Sequence, residues 1–115
     1  MISAAALLLT LPIAAPPQDQ ASVADPYQSA VSARLAGDPS RAVALLRPVV
    51  AANPRNPDAQ LQLGLAQLAL GQLDAAEAAF RAALTVAPDY NDARIGLARI
   101  AQQRGDIAAL LRDPG

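Results

Sequence analysis

Residues 57–90 read PDAQLQLGLAQLALGQLDAAEAAFRAALTVAPDY, and this stretch decides the fold of the chain. Its apolar residues recur at intervals of three and four, first over 61–68 and then over 73–84. That spacing is typical of α-helices that bury one face. Gly71 lies between the two runs. The stretch therefore predicts two amphipathic helices joined by a turn at Gly71.

The markers of this unit recur along the chain at one fixed period. Gly37, Gly71 and Gly105 are equally spaced, and the same interval separates Ala42 from Ala76 and Pro54 from Pro88. Small residues share one further position, occupied by Ala30, Gly64 and Ala98. A fixed period of this length indicates stacked structural repeats. We place full repeats at 23–56 and 57–90 and a truncated third at 91–115, with a turn at Gly105 and a short second helix over 107–112.

The period and its markers resemble the tetratricopeptide repeat family, whose units are helix-turn-helix pairs. The middle repeat carries the resemblance best, through Leu63, Gly64, Gly71, Ala76, Phe80, Ala83 and Pro88. Gln60 and Gln67 stand where the family pattern has Trp and Tyr. The resemblance implies an all-α helical solenoid of two full repeats and a truncated third, spanning 25–112. It also implies a scaffold that binds other proteins.

Local signals mark helix ends inside the repeats. Asn56 is expected to cap a helix that starts at Pro57, because a side-chain oxygen at this position accepts hydrogen bonds from free backbone N–H groups. Asp74 followed by Glu77 resembles a capping box. Pro48 falls within the predicted second helix of the first repeat, where its missing N–H is expected to bend the helix.

The resemblance also implies where a partner binds, because the first helices of successive repeats in this family line a concave groove. The family pattern places fourteen residues of this chain along the groove. Nine of them form the predicted groove set: Tyr27, Val31, Arg34, Leu61, Leu65, Leu68, Ile95, Arg99 and Gln102. The other five are Leu35, Asp58, Ala69, Asp92 and Gln103. An apolar floor with polar ends suits an amphipathic or extended peptide, and Arg34 and Arg99 can hold carboxylates. The alternative is that the three leucines are packing residues and both arginines are solvated.

One binding mode of the family is not expected here. Its chaperone-binding members hold a C-terminal carboxylate with a set of Lys and Asn residues on the first helices. At the matching positions, this chain has Arg99 as the only cation. The partner is therefore expected to be a protein or peptide of another kind.

The composition excludes most other functions. A chain of 115 residues forms one small domain. It has no Cys and no His, and its nine basic residues are all Arg, so thiol, histidine and lysine chemistry and the usual zinc ligands are absent. A formal net charge of -1 offers no positive surplus for binding nucleic acid or anionic lipid. We therefore expect no enzyme activity and no catalytic, cofactor-binding or metal-binding residues.

Residues 1–24 form a segment distinct from the repeats. Their apolar run over 4–15 is too short to span a bilayer but has the length of a signal-peptide core. Ser22-Val23-Ala24 offers a cleavage site after small residues. We expect export from the bacterial cytoplasm, either to the periplasm or to another location outside the cytoplasm. The alternative is a disordered leader on a cytoplasmic protein.

The end of the array leaves two functions open. A short last helix would expose Ile107, Leu110 and Leu111, an apolar edge that a second copy, another protein or further sequence could cover. In one hypothesis the chain is a small exported adaptor that binds a partner peptide. In the other it resembles the N-terminal repeat region of a larger envelope protein, such as a secretion, polysaccharide-export or outer-membrane barrel component, and is a shortened or incomplete version of it.

Overall fold

The computed structural model describes residues 25–112, which form five α-helices and no strand. The helices are α1 Pro26–Leu35, α2 Pro39–Ala52, α3 Pro57–Ala69, α4 Leu73–Val86 and α5 Asn91–Arg112. The signal peptide and cleavage site expected in 1–24 lie outside the described residues. Along 25–112, no helix combines the length and the apolar character needed to cross a membrane.

Two helix-turn-helix pairs, α1 with α2 and α3 with α4, correspond to the two predicted full repeats. The turn inside each pair contains a glycine with positive φ, 87° at Gly37 and 77° at Gly71. An L-residue pays roughly 1–2 kcal/mol for this left-handed backbone, and glycine does not. Glycine therefore recurs at these two positions because each turn requires a positive φ. The five helices and two turns confirm the predicted all-α solenoid.

Three helices begin at a proline that follows a capping side chain. Asn56 Oδ1 accepts hydrogen bonds from the backbone N–H groups of Asp58 at 3.1 Å and Ala59 at 3.2 Å, and Pro57 opens α3. This confirms the cap expected at Asn56. Asp25 and Asp38 cap α1 and α2 in the same way. These polar residues therefore satisfy backbone groups that the helices leave without partners.

Asp74 and Glu77 do not form the expected capping box. α4 follows Gln72, whose side chain makes no capping hydrogen bond. Both acids instead accept hydrogen bonds from the guanidinium of Arg104 on α5, and Glu77 also pairs with Arg81 one turn along α4. A charged donor forms a stronger hydrogen bond than a neutral backbone amide. The two acids therefore connect α4 to α5.

The third repeat differs from its prediction. α5 runs unbroken from Asn91 to Arg112, so the expected turn at Gly105 is wrong. A glycine weakens a helix by about 1 kcal/mol relative to alanine but does not end it. A separate helix over 107–112 would need its own nucleation, whereas continuing α5 adds one hydrogen bond for each residue ordered. The helix therefore continues through the glycine.

Within residues 25–112, one face of the unbroken helix α5 is not covered by another helix, and we call it the bare face of α5. Ala30 and Gly64 are buried, but Ala98, which holds the equivalent position, is exposed. Farther along α5, Ile107 is 51% exposed and Leu111 is 80% exposed. The side chain of Leu110 lies outside the described residues. In the part of the chain that the structure describes, no second helix packs on this side of α5.

Phe80 occupies the centre of the core between α3 and α5, and it is completely buried. A Cβ atom added at Gly64 would lie 2.7 Å from the Phe80 ring, and one added at Gly96 would lie 2.5 Å from it. Carbon atoms in favourable contact are about 3.5–4.0 Å apart. The ring therefore sits directly on the backbones of both helices, and glycine is the residue that fits at either contact.

The helices are arranged with α1, α3 and α5 on the same side of the array. Among the five described helices, α3 contacts both α1 and α5, whereas α2 and α4 contact only their sequence neighbours and not each other. The first helices of the repeats therefore form one side of the stack, which we call the inner side, and α2 and α4 form the other, outer side. The inner side is thus made by the first helix of each repeat.

Pro48 lies inside α2, which continues through it to Ala52. The ring nitrogen cannot donate to the carbonyl of Ala44. Both Ala44 and Pro48 are exposed, so water can reach that carbonyl. The bend expected at Pro48 stays a prediction.

The contact between Phe80 and Gly96 predicts opposite effects for two glycine substitutions in α5. Gly96→Ala should destabilise the protein by about 1–3 kcal/mol through overpacking. Gly105→Ala, where an added Cβ meets open space, should stabilise it by about 0.5–1 kcal/mol through helix propensity. Urea unfolding of both variants measures the difference.

Phe80 variants test whether this effect comes from the ring. Phe80→Ala should cost about 3–5 kcal/mol. In a Phe80→Leu background the penalty for Gly96→Ala should shrink, because the smaller side chain leaves room for the added methyl group. An equal penalty in both backgrounds would show that the ring is not what excludes the Cβ atom.

The ion pairs of Glu77 predict a loss of stability in acid. The hydrogen bond from Arg104 lowers the pKa of Glu77 below its ordinary value of 4.5, with the charges of Arg81 and Arg104 adding to the effect and burial opposing it. Folding thus favours the ionised form, so this contribution is complete above the unfolded-state pKa and disappears as pH falls through the folded-state pKa. Urea unfolding of Glu77→Gln should depend less on pH below about 4.5 than that of the unaltered protein.

A matched control for that measurement is Asp106→Asn, which removes an exposed acid from α5. It should leave the acid dependence close to that of the unaltered protein. Equal flattening of the pH profile by both variants would contradict the assignment to Glu77.

Candidate functional site

The inner side of the array contains a cavity of about 280 Å³ to which all three repeats contribute. Its lining residues come from α1, α3 and α5: Arg34, Leu61, Gln62, Leu65, Asp92, Ile95, Gly96 and Arg99. Five of them belong to the predicted groove set, namely Arg34, Leu61, Leu65, Ile95 and Arg99. The structure therefore brings together predicted residues that are distant in the sequence, from the first repeat to the third. We call this cavity the inner groove.

Apolar side chains form the middle of the inner groove. Leu65 is half-buried, and Ile95 is 52% exposed even though it is a large hydrophobic residue. Leu61 is 4% exposed, so it contributes to the wall while most of its surface packs in the core. Exposed apolar surface inside a concave site is a common feature of sites that bind a partner.

The other four predicted groove residues do not line the inner groove. Leu68 is buried in the core cluster that includes Phe80 and Ile100, as the alternative of a packing role expected. Tyr27 and Val31 are half-buried on α1, and Gln102 is exposed on α5. The helical period places these residues close to the groove, but packing between the helices decides which of them reach it.

Gln62 and Gly96 are lining residues that the sequence pattern did not select. Gln62 Oε1 accepts a hydrogen bond of 2.9 Å from Arg34 Nε, which joins α3 to α1. In the third repeat, Ala98 and not Gly96 occupies the position equivalent to Gly64. The repeat alignment therefore does not pair Gly64 with Gly96. The detectable signal for Gly96 was a glycine within a predicted helix, which indicates a close backbone contact.

A polar cluster lies beside the inner groove at the start of α3 and α5. The Tyr90 hydroxyl donates a hydrogen bond of 2.5 Å to Asp58 Oδ1. Burial raises the pKa of Tyr90, and the hydrogen bond to Asp58 raises it further. Burial and the charge of Asp58 also raise the pKa of Tyr27. Together they outweigh the hydrogen bond with Gln62 and the charge of Arg34, which lower it. Both hydroxyls therefore stay protonated at neutral pH.

The side chains that line the inner groove are better suited to binding the side chains of a ligand than to catalysing a reaction. Its ionisable lining residues are Arg34, Asp92 and Arg99. Across 25–112 no set of three or more His, Cys, Asp or Glu side chains is placed to hold a metal ion. Guanidinium and carboxylate groups around an apolar floor can pair with opposite charges on a ligand.

Comparison with known proteins identifies the repeat. No curated protein and no solved structure matches the chain significantly. Two family models, each described as tetratricopeptide repeat, match residues 33–84 and 61–109. The first match includes the turns at Gly37 and Gly71, and the second extends along α5. Together they span most of the described helices, and with the paired helices and their regular glycine spacing they establish that the chain belongs to the tetratricopeptide repeat family.

Proposed function

We propose that this chain, a protein–protein interaction module, binds a peptide or helix of a partner protein in the inner groove. The observation that carries the proposal is that exposed Ile95 and half-buried Leu65 line the same cavity as Arg34 and Arg99, a cavity formed by three helices. A partner would bury the apolar floor and pair acidic groups with the arginines.

Catalysis is not part of the proposal. The lining residues of the inner groove include no nucleophile paired with a base, and the family is generally a non-enzymatic scaffold. Its polar groups instead resemble the rim of a binding site, where charges orient a partner and select it.

Leu65→Glu tests the inner groove as the binding site. A carboxylate placed on the apolar floor should weaken partner binding at least about tenfold, because the bound partner would desolvate it. The measurement is affinity capture from an extract of the source cells, quantified against the unaltered protein. Circular dichroism of the variant should keep the helical signal.

Ala78→Glu is the matched control, since it adds the same charge at an exposed position on the outer side of the array. Capture of the same partner should survive this change. A partner retained equally by Leu65→Glu would place the binding site on another surface.

Export to the periplasm is a second element of the proposal. It is supported by the apolar run over 4–15 and by the small residues at Ser22-Val23-Ala24. The intact mass of the protein from fractionated source cells tests it. A periplasmic species that begins at Asp25 is expected, and a species of 11.8 kDa in the cytoplasm would contradict export.

The bare face of α5 favours the alternative of a larger envelope protein. Ala98 and Ala101 are exposed, whereas Ala30 and Ala33 are buried at the same positions of the first repeat. Further repeats, another protein or a second copy would cover this face, as well as exposed Ile107. The same mass measurement, made under native conditions, separates these alternatives. A chain heavier than 11.8 kDa indicates the larger protein, and a complex of twice the chain mass indicates self-association.

A further inference from the structure

Opposite charges stand at the two ends of the inner groove. Asp92 and Arg99 both line it and both lie on α5, at positions i and i+7. Two helical turns place their Cα atoms about 10 Å apart along the helix axis. Arg34 also lines the groove, and Asp58 at the start of α3 shares with Asp92 the surroundings of Tyr90. Along α5, the groove therefore has an acidic end at Asp92 and a basic end at Arg99.

These charges are available to a ligand. Among residues 25–112, the ion pairs involve Arg81, Arg104, Asp74 and Glu77. Neither Asp92 nor Arg99 takes part in them. Charges that face a cavity without an internal partner give it an electrostatic pattern that a complementary ligand can neutralise.

A second cation of the groove, Arg34, is held in position. The hydrogen bond from Arg34 Nε to Gln62 leaves the terminal nitrogens of the guanidinium free to donate elsewhere. A side chain that is already oriented loses less conformational entropy when it binds. Arg34 is thus prepared to receive a carboxylate.

The spacing of the two ends selects a helical ligand over an extended one. In a helix, residues i and i+7 lie on one face about 10 Å apart, with i+3 and i+4 between them. An extended peptide covers the same distance in about three residues, at roughly 3.3 Å each, and residues i and i+3 then point to opposite faces. A helix can therefore reach both ends and the apolar floor with one face.

We propose that the inner groove binds an amphipathic helix that carries an acidic residue at i, apolar residues at i+3 and i+4, and a basic residue at i+7. The acidic residue pairs with Arg99, the apolar residues cover Leu65 and Ile95, and the basic residue pairs with Asp92, while Arg34 offers a second cation within the groove. This order of charges also suits the dipole of the ligand helix. The bound helix runs antiparallel to α5. The inference rests on the proposed function and specifies its partner.

Synthetic helices of about 18 residues, long enough to be helical in isolation, test the charge pattern against the full-length protein. The first has the core Glu-Ala-Ala-Leu-Leu-Ala-Ala-Arg within alanine and glutamine. Two controls replace both charged positions with Glu or both with Arg. Fluorescence anisotropy should show the mixed-charge peptide binding at least about tenfold tighter than either control, since each control places like charges together at one end.

Single charge reversals should switch this preference. Asp92→Arg makes both ends basic and should favour the peptide with two Glu residues. Arg99→Asp should shift the preference toward the peptide with two Arg residues. Circular dichroism verifies that each variant is folded. An unchanged order of affinities in both folded variants would overturn the charge pattern.

The remaining outcomes separate this inference from the function on which it rests. Equal binding of all three peptides, lost in Leu65→Glu, would overturn the charge pattern and leave the groove as the binding site. Peptide binding that Leu65→Glu does not weaken would overturn both. α5 itself matches the proposed ligand pattern, since it carries Asp92, Ile95 and Arg99 at i, i+3 and i+7. A dimer of the protein that the mixed-charge peptide cannot dissociate would therefore indicate that a second copy, and not a partner helix, occupies the groove.

Discussion

The packing of Phe80 against Gly64 and Gly96 is the constraint on which the rest of the structure depends. Aromatic residues make up 3% of the chain, so few side chains are large enough to fill the space between three helices. Phe80 does so because two glycines let its ring reach the backbones of α3 and α5. Small residues elsewhere in the core, such as Ala76 and Ala83, allow close helix packing but cannot replace that volume.

This packing also shapes the inner groove. α3 and α5 are held on the same side of the array, so that Leu65 and Ile95 contribute to one cavity. The hydrogen bond between Arg34 and Gln62 then joins the first repeat to the second on that side. The groove is therefore a consequence of the stacking of repeats, and its charges are carried by residues that the core does not need.

The last repeat shows how a local signal can fail. Gly37, Gly71 and Gly105 have the same spacing, yet the first two adopt positive φ in turns while α5 passes through the third. A turn glycine permits a reversal of the chain, but the reversal is stabilised only when a following helix packs back and buries its apolar face. Within 25–112 no such helix follows Gly105, and Ala98 is left exposed.

The sequence by itself determined the helical period, the turns at Gly37 and Gly71 and the cap at Asn56, because each depends on contacts within a few residues. Through the repeat register it also indicated six lining residues of the inner groove, the five of the predicted groove set and Asp92. Tertiary structure decided that Leu68 belongs to the core, that Gly96 receives Phe80, and that Asp74 and Glu77 pair with Arg104. These outcomes depend on contacts between helices that are distant in the sequence. Helical periodicity indicates which face of a helix is buried, but it does not indicate which residues of another helix that face contacts.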